Sequence, residues 1–244
     1  MWPLIKKSKT KKQMATSIDI NSVYKAVLVI LEQEKRGVLM PTQFNKIATQ
    51  AQQEIYTEYF DELNQVLRMP QTSLAYADRL AMLDEKISLF KRSESVALVS
   101  ATVTMPPAVQ ELGSVIYSNR EVQRIQPFEV YTTNASPLTA PTEFYPVYTY
   151  ENQILTLYPN TVTGTVILNY LKYPSDVKWG FTIDKDLGNY IYNAADSISF
   201  DLHKSDQPLL VAKILGYAGV MTKDQFAMSI ANQKEQQINS NSQK

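Results

Sequence analysis

The apolar residues of this chain change their period twice, and that limits the fold more than any single motif. Between 19 and 91 they recur every three to four residues, the spacing of a helix face. Between 97 and 173 they mostly alternate, the spacing of half-buried strands. After Gly180 the helical spacing returns. Helices, then strands, then helices make an α+β chain with an antiparallel β region inserted between helical flanks. The expected divisions are a basic arm over 1–16, a helical segment over 17–95, a β region over 96–178, and a C-terminal helical segment over 179–244 that packs with 17–95.

Local signals refine this outline. A first helix is expected over 19–37, with Asp19 as its cap and Gly37 closing it. Val23, Val27, Ile30 and Leu31 follow one face, and Ala26, Leu28 and Val29 widen the apolar surface well beyond one stripe. A helix of that kind is buried on most sides or meets a neighbouring subunit. A second helix is expected over 41–69, with Pro41 at its first position and Phe44, Ile47, Ala48, Ala51, Ile55, Phe60, Leu63 and Leu67 inward. The short link between the two predicts an antiparallel hairpin. A third helix is expected over 73–91.

One strand is expected over 97–105, with Ala97, Val99, Ala101, Val103 and Met105 inward, and a short one over 115–117. Strands over 145–150, 153–158 and 165–173 would form a meander, with Glu151-Asn152 as a tight turn. Residues 134–142 are a loop by composition, and 121–130 fit no single pattern. Helices are expected over 190–202, with Ile191, Ala195, Ile198 and Leu202 inward, and from Asp206 to Gly219. A last helix follows a capping box of Thr222 and Gln225, and its polar end frays or needs a partner.

Composition bears mainly on function class. At 244 residues the chain is long enough for one large or two small domains. The absence of cysteine excludes disulfides and thiolate metal sites. No apolar run approaches the roughly 20 residues of a membrane-spanning helix, and the lysines of the first residues precede no apolar signal core. Net charge is zero, but Lys6, Lys7, Lys9, Lys11 and Lys12 fall in the first thirteen residues, which hold no acid. The remaining 19 basic residues face 24 acids, so the body is about −5. Such an arm is either a contact for nucleic acid or an acidic partner, or a solvated tail; Met14 is an alternative start. Fifteen tyrosines, clustered with prolines over 144–174, suit either an interface or strand filling. The candidate subunit-interface residues are Tyr24, Leu28, Val29, Phe144, Tyr145, Tyr148 and Tyr150.

Catalytic equipment is sparse. The one histidine, His203, follows Asp201-Leu202 near an expected helix end, where a favourable dipole explains it better than a general-base role. Asp184, Asp186, Asp196, Asp201 and Asp206 lack the spacing and glycine of a calcium loop. The seven glycines form no phosphate-binding turn. No catalytic residue, cofactor site or metal site is expected.

Three blocks carry a resemblance. They are SIDINSVYKAVLVILEQEKRGVLMPTQFNKIATQAQQEIYTEYFDEL, then LYP followed by VILNYLKYPSDVKWGF, and FDLHKSDQPLLVAKILGYAGV. Together they resemble structural proteins of crAss-like and related Bacteroidetes phages, in particular a virion ring protein of the neck, over most of 16–230. Two departures stand out: Met40 holds the place of a capping Ser or Thr, and the basic segment before Met14 is foreign to the family pattern. The resemblance implies a non-enzymatic head–tail connector that assembles as a closed ring, expected twelvefold, below the portal. Its partners would be itself, the portal protein, and other neck or tail proteins, with double-stranded DNA passing through an acidic lumen. It would be made in the host cytoplasm, reside in the virion and touch no membrane. Two other readings stay open: a nucleic-acid-binding accessory protein that uses the lysine arm, and a carbohydrate-binding tail module in the tyrosine-rich sheet.

Overall fold

Helix α2 (Pro41–Arg68) organises the helical part of the chain. Pro41 occupies its first turn, where a missing amide costs nothing. Met40 precedes it, and Gln43 Oε1 accepts the Met40 N–H at 3.2 Å. This is half of a capping box, with the hydroxyl half absent. The computed structural model describes residues 17–33, 39–68, 74–186, 188–222 and 225–242. They form an α+β fold of two units, Met1–Leu89 with Pro174–Lys244, and Phe90–Tyr173.

The helical unit contains α1 (Ile20–Gln33), α2, α3 (Leu74–Ser88), α5 (Gln207–Thr222) and α6 (Gln225–Ser242), with a small hairpin described below. Asp19 caps α1, its Oδ2 accepting the Ser22 N–H at 3.0 Å. Ile20, Val23, Tyr24, Val27 and Leu31 form a buried stripe along α1. The apolar helix α5 packs against α1, α2 and α6, with Leu210, Ala212, Ile214, Leu215 and Ala218 inward. It continues past Gly219 to Thr222. Gly37, and the side chains of the expected Thr222 and Gln225 capping box, lie outside the described residues.

The distinctive contact of this unit is polar. Asn45, Thr49 and Gln52 stand at i, i+4 and i+7 on α2, so they share one face. Opposite them the chain runs extended from Ser175 to Trp179. Asn45 grips Trp179 twice, Oδ1 accepting its N–H at 2.7 Å and Nδ2 donating to its carbonyl at 3.3 Å. Thr49 Oγ1 accepts the Val177 N–H at 3.1 Å. Gln52 Nε2 donates to the Ser175 carbonyl at 2.7 Å, while its Oε1 accepts the Asp201 N–H at 2.9 Å. From Asn45 to Gln52 the helix rises about 10.5 Å, and from Trp179 to Ser175 an extended chain covers about 13 Å, so the last step falls to glutamine, the longest of the three side chains.

Trp179, thus fixed, stacks among Tyr24, Phe181 and Tyr192. Its Nε1 donates to Asn21 Oδ1 at 3.3 Å. Beyond it, β9 (Phe181–Ile183) pairs antiparallel with β10 (Tyr190–Tyr192). At Gly180 a Cβ would lie 2.8 Å from Asp196 and 2.9 Å from the Asn193 carbonyl, so only glycine lets the two passes approach.

The second unit is a sandwich of two four-stranded sheets. One has the order β1 (Lys91–Ala97), β8 (Thr165–Lys172), β3 (Val109–Tyr117), β4 (Arg120–Glu121); the other has β2 (Thr102–Thr104), β7 (Ile154–Tyr158), β6 (Val147–Glu151), β5 (Gln123–Arg124). Val115, Val166 and Leu168 from the first sheet share a core with Val103, Tyr148, Leu155 and Leu157 from the second. The short helix α4 (Glu129–Ala135) lies in the connection from β5 to β6.

Several expectations fail for identifiable reasons. The third helix stops at Ser88, and Lys91 and Arg92 belong to β1. The single strand over 97–105 is two strands joined at Ser100 and Ala101, both at positive φ (52° and 59°). That two-residue turn pairs Val99 with Thr102 and swaps the inward parity. Val96 and Leu98 therefore pack with Ala101, Val103 and Met105 while Ala97 and Val99 face out. The meander is broken as well, because β8 pairs with β1 and β3 and not with β7. The helix over 190–202 is absent: β10 and turns replace it, and Ile191 and Ile198 are exposed. In the second half of α2 the inward face is Tyr56, Tyr59 and Val66, with Leu67 exposed.

Two outcomes follow from this packing. Gln52→Ala removes two hydrogen bonds made by a side chain that is 1% exposed, and should lower the stability of the helical unit by about 2 kcal/mol, read in a urea titration. The turn at Asn152 and Gln153 has φ of 48° and 61°, a backbone that a non-glycine residue adopts at a cost. Gln153→Gly should raise the stability of the β unit by about 1 kcal/mol.

Candidate functional site

The candidate site is a surface. Between β5 and β6 the chain makes an excursion in which only Val130 and Pro146 are buried over 126–146. Within it Phe128, Tyr131, Leu138, Phe144 and Tyr145 are 73, 80, 95, 78 and 69% exposed. A monomer whose surface apolar residues are scattered singly needs no explanation, but five in one segment do. The segment is held by its own short-range bonds. Glu129 Oε2 accepts the Gln126 N–H at 2.9 Å. The Ser136 carbonyl accepts from Thr139 and Ala140, and Thr142 and Tyr145 exchange backbone hydrogen bonds. Arg120 lies over the Tyr145 ring at 4.8 Å and donates to the Phe144 carbonyl.

A second apolar surface belongs to the helical unit. In the β9–β10 hairpin, Ile183 stands directly opposite Tyr190, and Phe181 opposite Tyr192. All four share one face by the two-residue period of strands. Phe181 and Tyr192 lean on the buried Trp179. Ile183 and Tyr190 remain 60 and 43% exposed.

The expected interface residues divide between surface and core. Phe144 and Tyr145 are exposed, Val29 is exposed, and Leu28 and Tyr150 are half-buried. Tyr24 and Tyr148 are corrected: their rings are buried within their own units. The Tyr24 hydroxyl donates to the Leu39 carbonyl, and burial, with Tyr190 nearby, pushes its pKa up to about 12. Burial also raises the Tyr148 phenol. Lys6, Lys7, Lys9, Lys11 and Lys12 lie outside the described residues. Phe128, Tyr131, Leu138, Ile183 and Tyr190 were not singled out by sequence. Leu138 alone stood in a stretch that reads as a loop; Phe128 fell where no pattern fits, and Tyr190 at the start of an expected helix.

The ionisable groups are engaged internally. His203 is not at a helix C-terminus, as expected, but caps the 3-10 turn Lys204–Asp206, its Nδ1 accepting the Ser205 N–H. Asp201 Oδ2 accepts the Ser175 N–H. Asp206 is buried and takes Lys86 Nζ at 2.8 Å and the Tyr59 hydroxyl at 2.5 Å. Burial first, then the Asp206 charge, raises the Tyr59 phenol. Buried Lys213 on α5 reaches Glu58 at 2.8 Å, Glu235 at 2.9 Å and Glu54 at 3.5 Å, and Tyr217 donates to Glu54. Burial alone would lower the Lys213 pKa, but the hydrogen bonds it donates to Glu58 and Glu235, with their charges, outweigh it and raise it. This cluster borders a shallow groove of about 250 Å³. Among the described residues, no group of three His, Asp or Glu side chains is arranged to hold a metal, and no helix is long and apolar enough to cross a membrane.

With this geometry in view, comparison with known proteins adds no relative: no family model matches the chain, and no curated protein matches it.

Lys213→Met should cost about 2 kcal/mol of stability. The loss is below that of a fully buried pair because the three carboxylates are a third to a half exposed and regain water. Since the folded pKa is raised, the lysine contributes fully below its ordinary value of about 10.4. The difference between the two proteins in urea titrations should therefore be constant from about pH 7 to 9.

Proposed function

We propose that this chain is a structural protein of a tailed-phage virion, a ring-forming connector in the neck between portal and tail through which DNA passes. The observation that carries the reading is the excursion between β5 and β6, where five large apolar side chains face water in an ordered segment. Surfaces of that kind suit docking to protein. The exposed face of the β9–β10 hairpin adds a second.

The resemblance supports the same reading. Its first block covers α1 and most of α2, its second takes the end of β7 and then runs from β8 to Phe181, and its third covers the 3-10 turn and most of α5. The first and third blocks, with the end of the second, hold both sides of the polar ladder. The ionisable clusters are spent on holding helices together, which suits a load-bearing part. Copies of this protein would contact one another, the portal, and neighbouring neck or tail proteins, in a ring expected to be twelvefold.

Sedimentation of the purified full chain should give a closed multimer, and the protein should be present in purified particles, at the neck in images of virions. Removing residues 1–13 should leave that multimer intact, since its contacts are apolar. A chain that remains a monomer at tens of micromolar and is missing from particles would overturn the reading.

A further inference from the structure

We infer that copies of this chain join head to tail, with the aromatic excursion of one copy seated on the β9–β10 face of the next. The inference rests on the ring proposed above and specifies its contact. Among the described residues, two exposed apolar surfaces lie in different units: Phe128, Tyr131, Leu138, Phe144 and Tyr145 in the β unit, Ile183 and Tyr190 in the helical unit. A two-fold contact with the excursion of each copy on the hairpin of the other would cover both surfaces but stop at a dimer. A contact between the two different surfaces covers both with one kind of interface, and its repetition closes a ring.

The inserting surface is the larger of the two. Five side chains of this size, mostly exposed, offer on the order of 700 Å², close to the roughly 800 Å² per partner of a standard interface. The hairpin supplies a receiving face with a firm floor. Ile183 and Tyr190 project from strands whose inner residues, Phe181 and Tyr192, rest on Trp179, itself held by Asn45 and Asn21. The excursion is already ordered by the bonds of Glu129, Ser136 and Thr142, so little chain entropy is lost on docking.

The test uses two full-length variants, Ile183→Arg for the receiving face and Phe128→Ser with Phe144→Ser for the inserting one. All three positions are mostly exposed, so the folds should survive; circular dichroism and thermal unfolding check this. Sedimentation should show that each variant alone associates at least about tenfold more weakly than the parent. An equimolar mixture should give a 1:1 dimer and nothing larger, because each variant retains the surface the other has lost. A mixture that stays monomeric, or an Ile183→Arg protein that assembles like the parent, would overturn the head-to-tail contact while leaving the ring itself standing. A monomeric parent would instead overturn the ring and this contact with it. A second measurement does not depend on those variants. The natural chain has no cysteine, so Phe144→Cys and Tyr190→Cys introduce the only thiols. With a short bismaleimide, a mixture of the two should give cross-linked dimers and a chain with both changes should give a ladder. Dimers from Phe144→Cys alone would point to a two-fold contact and reject the inference.

Discussion

The ladder of Asn45, Thr49 and Gln52 against the backbone of 175–179 is the interaction on which the helical unit depends. An extended segment laid on a helix brings amides and carbonyls into the interior; Lys178 pairs with Ile198, while the amides of Val177 and Trp179 turn to the helix. Each such group left alone costs about as much as a whole net hydrogen bond contributes. On that side the side chains of α2 stand in for a strand. Gln52 is 1% exposed and satisfies two separate backbone stretches at once. The consequence travels outward. Because the backbone of Trp179 is clamped, its indole is fixed; because the indole is fixed, Phe181 and Tyr192 have a floor; and the short hairpin stands where a two-stranded ribbon alone would be marginal.

The other buried polar groups tie helices rather than strands. Asp206 joins α2 and α3 to the turn that precedes α5, through Tyr59 and Lys86. Lys213 joins α5 to α2 and α6 through three glutamates. Both hubs would be expensive if left half-made, and both are complete. Polar contacts of this kind fix which helix meets which, in an assembly whose apolar stripes alone would tolerate sliding.

The α+β order, the cap at Asp19, the start of α2 at Pro41 and the apolar length of α5 were legible because each has a local cause. What was not legible depended on partners distant in sequence. Ser100 and Ala101 carry no glycine or asparagine signature, so the turn that inverts the strand parity was invisible, and Ala97 and Val99 seemed to continue the inward row. Ile191, Ala195, Ile198 and Leu202 have helical spacing, but pairing of Tyr190–Tyr192 with Phe181–Ile183 overrides it, and Asn193 folds back on Asp196 and Ala195. Gln52 read as part of a wet face because nothing in α2 announces the backbone it meets. Among the surface residues, Phe144 and Tyr145 were legible as aromatics in a proline-rich stretch. Tyr24 and Tyr148 have the same chemistry and differ only in where packing puts them.

The sandwich begins and ends at one place. Lys91 stands opposite Leu171, and the Lys172 N–H donates to the Phe90 carbonyl at 2.9 Å. The chain thus leaves the helical unit and comes back through neighbouring strands about 5 Å apart. A module attached by such a neck can be lengthened, traded for another or lost by a single genetic event, with only a short join to heal.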